Sequence, residues 1–422
     1  MSEPTARAGA SRMRVMLLSQ FYPPDIGGIE VHVQALARGL VARGHEVVVA
    51  TLAMVEFGPG ERLDEGVRVH TLQGALQRIG PLFTTERRHA APFPDPELTS
   101  GLRRLAEEFR PDVVHAHNWI GRSYVPLKRR IGVPYLLSLH DSGRICTQAR
   151  MWYRDKELCS GPSLRRCLSC CALQFGALKG TVTYLGNRAA RGADARAVDL
   201  FLPVSNAVAA SNRLAQDGLA YEVVPNFAVD VRPSADLADP RLEQLPSGPF
   251  VLQVGDVMVD KGVDVLFAAY RSLTDPPPLV LIGRISEEVR ATLPPGVTAL
   301  GTWPHDLALE AWRRCLFGTM PSLCLDACPT VTFEAMAAGK PVVASALGGL
   351  LDQVVDGVTG LLVTPGDPEA LATAIARLAT DSELRARMGA AARERYRAEF
   401  RADVVIDRIE SLYCGQIACS RA

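Results

Sequence analysis

The sequence predicts an α/β protein built from two doubly wound halves that face each other across a cleft. Short apolar runs alternate with amphipathic helical patterns along the whole chain, the signature of parallel strands covered by helices. A proline-rich, pattern-poor stretch at 226–249 (NFAVDVRPSADLADPRLEQLPSGP) splits that alternation and reads as an interdomain linker. No tandem repeat runs through the chain, and its 422 residues suit two or three domains at roughly 100–200 residues each.

The first half opens with RVMLLS at 14–19, a short apolar strand, followed by the loop QFYPPDIGG. Ile29, Val33, Leu36 and Leu40 then recur at helical spacing, and Gly44 stands where that helix must stop. Further strands are expected at 46–51, 112–116 and 135–139. The second half opens with a strand at 250–254 and continues with strands at 279–282, 297–300, 341–344 and 360–363. Among its helices, Asp367 is placed to cap an N-terminus with Pro368 at the first helical position, and Leu371, Ile375 and Leu378 line one face. In sheets of this kind ligands sit beyond the carboxyl ends of the strands, so the cleft is the expected site.

Composition narrows the function. Lys plus Arg and Asp plus Glu both number 46, so no net field draws the chain to nucleic acid or an anionic membrane. Residues 1–250 carry 30 basic and 25 acidic side chains, too small an excess to select an anionic partner. Basic and aromatic residues nowhere interleave as in a nucleic-acid groove, and the basic run 128–130 reads as a solvated helix end before a membrane patch. The first twelve residues lack an apolar signal core, and no apolar run approaches the ~20 residues of a membrane span. A cytoplasmic protein is expected, peripheral at most to the inner face of a membrane.

Two places carry chemistry. The loop 23–28 joins the first strand to the first helix, where bare amides hold an anion and Gly27 and Gly28 let a ligand approach the backbone. A tight turn is the plainer account of the same pair. Around Cys324 the chain reads MPSLCLDACPTVTFEAMAAGKPVVAS. Asp326, in a strand-to-helix loop, and Glu334, inside the helix, can accept hydrogen bonds from vicinal hydroxyls, while amides near Thr330, Val331 and Thr332 face an anionic linker. Either acid alone could equally cap a helix.

The set FYPPDIGGIEVHV, DVVHAH, VVPN, QVG…DKGVDVL and PS…D-x7-EAMAAGKPVVAS…GG…DGVTGLLVTPGD resembles the retaining GT-B glycosyltransferases of family 4, in order and across about residues 13–413. The resemblance implies a GT-B fold of two facing Rossmann-like domains: an acceptor-binding domain at 13–228, a nucleotide-sugar-binding domain at 248–400, and a final helix at 401–416 crossing back to the first. It implies that Glu334 holds the ribose hydroxyls, that Asp326, where the family usually has Glu, contacts the donor sugar, and that Lys261 neutralises the diphosphate. His140 corresponds to a histidine near the reacting sugar, and Gly27 with Gly28 to the family's glycine loop. One departure stands out: after Gly255 the family usually has an arginine that helps clamp the diphosphate, and this chain has Asp256. Either another cation such as Arg284 takes over or donor binding is weakened. The implied reaction moves a sugar from a nucleoside diphosphate to a hydroxyl of a saccharide, lipid-linked or small-molecule acceptor, with no cofactor required.

Five of the ten cysteines fall within 26 residues of a Cys-rich insertion at 140–175. Cys167 and Cys170 form a C-x2-C, and Cys146 with Cys159 can complete four thiolate ligands for structural zinc or an iron–sulfur centre. Buried or redox-labile thiols explain them as well. Cys324 and Cys328 read as small packed side chains. His115 and His117 alternate faces of one strand, and His117, nearer its end, is the better site candidate. Two rivals remain: a nucleotide-binding scaffold without transfer, suggested by Asp256 and the short Asp326, and a dinucleotide-dependent oxidoreductase, disfavoured because no G-x-G-x-x-G follows either opening strand.

Overall fold

The computed structural model describes residues 12–24, 27–53, 58–78, 90–228 and 239–421. The middle of the expected linker, 229–238, lies outside the described residues, as does part of the loop 23–28. The strands are β1 Arg14–Ser19, β2 Glu46–Leu52, β3 Gly60–Asp64, β4 Val67–Leu72, β5 Val113–His117, β6 Tyr135–Leu139, β7 Trp152–Tyr153, β8 Glu157–Leu158 and β9 Leu200–Pro203 in the first half. The second half contributes β10 Val251–Val254, β11 Leu279–Ile282, β12 Val297–Ala299, β13 Phe317–Met320, β14 Val342–Ser345 and β15 Gly360–Val363.

The first sheet runs β3-β4-β2-β1-β5-β6-β9, parallel except for the antiparallel edge strand β3. The second runs β12-β11-β10-β13-β14-β15, parallel throughout. Strand order reverses beside β1, between β2 and β5, and beside β10, between β11 and β13. Those are the two crevices where a doubly wound sheet binds ligands, and both candidate loops of the sequence sit at them.

Helices cover the sheets because their apolar residues fall on one stripe. Val33, Leu36, Ala37 and Leu40 of the helix Gly28–Ala42 are buried, and Arg43 and Gly44 close it through amides to Leu40 and Val41 carbonyls. Asp367 caps Pro368–Thr380 by accepting from the Ala370 amide, and Leu371, Ile375 and Leu378 are fully buried. The last helix, Ala402–Arg421, runs beyond the expected end at 416 and lies on the first domain. Its Val405, Ile406, Ile409 and Tyr413 share a core with Val33, Leu36 and Leu40. Four such side chains contribute roughly 1.5–3 kcal/mol each, so the helix is a structural part of the domain it returns to.

Beneath the cleft one apolar cluster spans both halves, joining Val204, Val208 and Leu214 to Cys328, Phe333, Tyr396 and Phe400. Phe333 and Phe400 stack at 4.6 Å between centroids. In the basic run, Lys128 pairs with Asp199 at 2.6 Å and Arg130 with Glu107 at 2.7 Å, which leaves little unbalanced charge there. Among the described residues no helix is long and apolar enough to cross a membrane.

Candidate active site

The second-domain side is assembled from the ends of β10 and β13. The turn Val259–Lys261 follows β10, and its Asp260 carbonyl accepts the amides of Leu323 (2.9 Å) and Cys324 (3.1 Å). That stitches the turn to the loop after β13. Gly262 makes the close approach possible: its φ is +77°, and a Cβ there would collide with the Pro321 carbonyl. Lys261 Nζ thereby reaches Asp326, which also accepts from Ser322 Oγ. Burial pulls the Lys261 ammonium down, but Asp326, with Cys324 and Asp260, outweighs it and holds the pKa above the usual lysine value. The Asp326 loop rests on Gly348 and Gly349, whose missing side chains admit its backbone, and the Gly349 amide donates to the Asp326 carbonyl at 2.6 Å.

Glu334 lies one turn into the helix Thr330–Ala337, 7% exposed, with His305 Nε2 at 3.0 Å from one oxygen and Trp312 Nε1 donating to the other at 3.2 Å. It caps nothing; its carboxylate is oriented from both sides and keeps lone pairs for a ligand. Glu334 raises the His305 pKa by hydrogen bonding, against burial. Thr330 and Val331 are half-buried at the helix start, whereas Thr332 is fully buried and bonds the Met320 sulfur at 3.1 Å. Its hydroxyl is thus turned into the core, and its amide donates to the Pro329 carbonyl at 3.3 Å.

Across the cleft stand the first-domain groups. Gly27 precedes the helix Gly28–Ala42 in extended conformation, and a Cβ on it would strike the Glu30 carboxylate; Gly28 is open to solvent. His117 at the end of β5 and His140 just after β6 are buried and bonded to each other, Nδ1 to Nε2, at 2.9 Å. Asn226 bridges the cleft: its Nδ2 donates to the Cys328 carbonyl at 3.2 Å and its Oδ1 faces His140 Nδ1 at 3.1 Å. This network fixes the tautomers, since His140 must donate from Nδ1 and so accept from His117 at Nε2. His32 on the first helix joins them, and one nitrogen of each of His32, His117 and His140 lies within 4.8 Å of the others. Burial above all, offset in part by Asn226, lowers the His140 pKa to about 4, and burial with mutual repulsion drives His32 and His117 well below the usual value. All three are neutral imidazoles at pH 7. His115 points the other way, to Tyr413 Oη (2.6 Å) and Ser138 Oγ (2.8 Å), which ties the last helix to the sheet.

Two further contacts close the cleft. Arg150 Nη1 donates to Asp260 Oδ2 at 3.1 Å, and the Asn206 amide donates to Asp352 at 2.6 Å.

Family models match almost the whole chain in two pieces: a glycosyl transferase 4-like domain at residues 27–226 and glycosyl transferases group 1 at residues 239–395. The chain belongs to the GT-B glycosyltransferases of family 4. The D-inositol 3-phosphate glycosyltransferase of Thermomonospora curvata is 27% identical over 98% of this chain and 96% of its own length. Sucrose-phosphate synthase from Thermosynechococcus elongatus superposes with a TM-score of 0.72 at 22% identity, covering 97% of this chain and 100% of that one. The Anabaena protein HepE, solved in complex with UDP-glucose, gives 0.65 at 18% identity over 96% and 100% of the two chains.

Within this glycosyltransferase two of the expected donor cations are paired with carboxylates. Arg284, the cation expected to take over the diphosphate, is paired: its Nε and Nη2 donate to Asp256 at 2.8 and 2.6 Å, and its side chain is 80% exposed. Lys261 and Asp326, expected to serve different parts of the donor, are paired with one another. The sequence reading gave no role to His305, Trp312, Asp260, Asn226 or His32. His32 and Asn226 stand inside the motifs IEVHV and VVPN and were within reach; His305 and Trp312 come from an amphipathic helix outside those motifs.

Proposed function

We propose that this glycosyltransferase moves a sugar, with retention of configuration, from a nucleoside diphosphate to a hydroxyl of a saccharide, lipid-linked or small-molecule acceptor. The observation that carries the reading is Asn226, whose one side chain links His140 on the acceptor domain to the start of the helix bearing Glu334. Acceptor groups and donor groups thus meet at one point of the cleft. In this reading Glu334 receives the ribose hydroxyls on lone pairs left by His305 and Trp312. The diphosphate draws Lys261 from Asp326, which frees Asp326 for a sugar hydroxyl. The anomeric carbon–oxygen bond breaks as negative charge grows on the diphosphate, and Lys261 with the amides at Thr330 and Val331 stabilises it. The acceptor oxygen bonds from the face the diphosphate leaves, and its proton passes to the departing phosphate oxygen. Fixed cations and amides meet the charge, so the transfer needs no metal. HepE in complex with UDP-glucose and the inositol-phosphate transferase support the donor and acceptor classes.

The test is a thermal-shift panel of UDP, GDP, ADP and TDP and their sugar conjugates, followed by NMR of the product's anomeric proton with the donor that stabilises. One nucleotide raising Tm and a product with the donor's configuration is expected; inversion would overturn the mechanism. The Asp256–Arg284 pair favours a second reading, a scaffold that binds nucleotide without turnover, and nucleotide stabilisation with no transfer to any acceptor would select it. Because Asp256 already has a partner, Asp256→Arg is expected not to tighten nucleotide binding. Losing an exposed pair should shift Kd by about fivefold or less, read by calorimetry; a large gain would show an open family-type clamp.

A further inference from the structure

The Cys-rich insertion is a poorly cored element pressed against the cleft. Its sheet is a two-residue pairing of β7 with β8, and Leu158, Leu164, Leu173 and Leu178 beside it are exposed. Ala149, Met151, Arg154 and Asp155 all hold φ between +51° and +66°, four of nine such non-glycine residues among those described. Strain of that density needs something other than apolar burial to hold it. Cys146, Cys159, Cys167, Cys170 and Cys171 all line one small cavity of about 30 Å³, with room for an ion. Cys146, Cys159, Cys167 and Cys170 come from three anchors: the turn after His140, the end of β8, and one face of the helix Leu164–Phe175, where i and i+3 lie together.

We propose that Cys146, Cys159, Cys167 and Cys170 bind one zinc ion as four thiolates, and that the ion fixes residues 140–175 beside the active site. The backbone amides of Gln148 and Met151 face Cys146 Sγ, the N–H···S support typical of a thiolate ligand. Binding releases the thiol protons as Zn–S bonds form. No three of the sulfurs lie within 4.8 Å of one another, so they ring the cavity and side-chain rotation must draw them to about 2.3 Å from the metal. Cys171 lines the same cavity but is left out of the set, because its sulfur is engaged by Thr147 Oγ1 at 2.8 Å. The consequence for the cleft runs through Arg150, which leaves the same loop to pair with Asp260 next to Lys261.

The experiment reads metal rather than turnover, so it stands or falls apart from the transfer reading. Full-length protein, purified without chelators or a metal-affinity step, is expected to carry about one equivalent of zinc. X-ray absorption should show four sulfurs at about 2.3 Å. Cys167→Ser and Cys170→Ser should lose the zinc and become open to proteolysis within 140–175, while Cys171→Ser keeps it. Metal-free protein with four thiols free to react, disulfides in the intact mass, or iron with visible absorption would each overturn the proposal, as would zinc loss in Cys171→Ser. Should the ligand variants fail to fold, metal content and absorption of the wild type decide alone.

Discussion

Replacing Lys261 with alanine is expected to lower kcat of transfer by roughly 10²- to 10³-fold, the loss typical when one fixed charge is removed from a developing anion. The ammonium is positioned by its turn: the Asp260 carbonyl anchors that turn to the loop after β13, and Gly262 lets it lie against Pro321. It is also kept charged, because Asp326 more than offsets burial. The resting pair with Asp326 does not argue against the role. A diphosphate offers more negative charge than one carboxylate, and the exchange releases Asp326 for the sugar. Initial-rate kinetics separate the possibilities. A fall in kcat places the lysine on the leaving group; a rise in KM with kcat unchanged would make it a ground-state anchor only. Near-normal kcat and KM would remove it from the site. Because the variant leaves Asp326 without its cation, a Tm measured alongside distinguishes lost chemistry from lost fold.

The fold was legible where strands are pure apolar runs. The expected strands at 14–19, 135–139, 279–282 and 360–363 coincide with β1, β6, β11 and β15, and several others differ by a residue at one or both ends. β13 escaped because FGTM carries a glycine in a run of only four, and that glycine is explained by the helix just before it: a Cβ on Gly318 would strike the Trp312 ring. β3 lies in the sheet with exposed side chains and gives no apolar signal at all. The site divides along the same line. Asp326, Glu334, Lys261 and His140 sit in local motifs, whereas what each one touches is set by the meeting of segments far apart. Glu334 meets His305 and Trp312 from another helix, and Asp256 meets Arg284 from the next strand. Residue type revealed that a charge was present; only the packing revealed whether it was already spent.

Acidification should destabilise this protein steeply between about pH 6.5 and 4, by about 3 kcal/mol per pH unit near pH 5. Four buried imidazoles set the sign. His115 is lowered to about 3 and His140 to about 4, with His32 and His117 also well below the ordinary value, burial being the largest cause in each. In the unfolded chain they titrate near 6.5, so between the two values the unfolded state binds more protons and stability falls as pH falls. Above the unfolded value both states are neutral and nothing is lost. Two acids act in the opposite sense. Burial raises Asp141 to about 6 and lifts Asp194 despite Arg122, so each takes up a proton in the folded state before it would unfolded. The net uptake on unfolding near pH 5 is therefore roughly two to three protons rather than four, Asp141 offsetting about one and Asp194 acting in the same direction. Denaturant unfolding at pH 7, 6 and 5 measures the slope, and His115→Gln should reduce it by about one proton, because that ring bonds only Tyr413 and Ser138. A flat profile would mean that the imidazoles are charged or solvated in the fold. It would also dissolve the chain of hydrogen bonds from His117 through His140 to Asn226, on which the alignment of the two halves of the cleft depends.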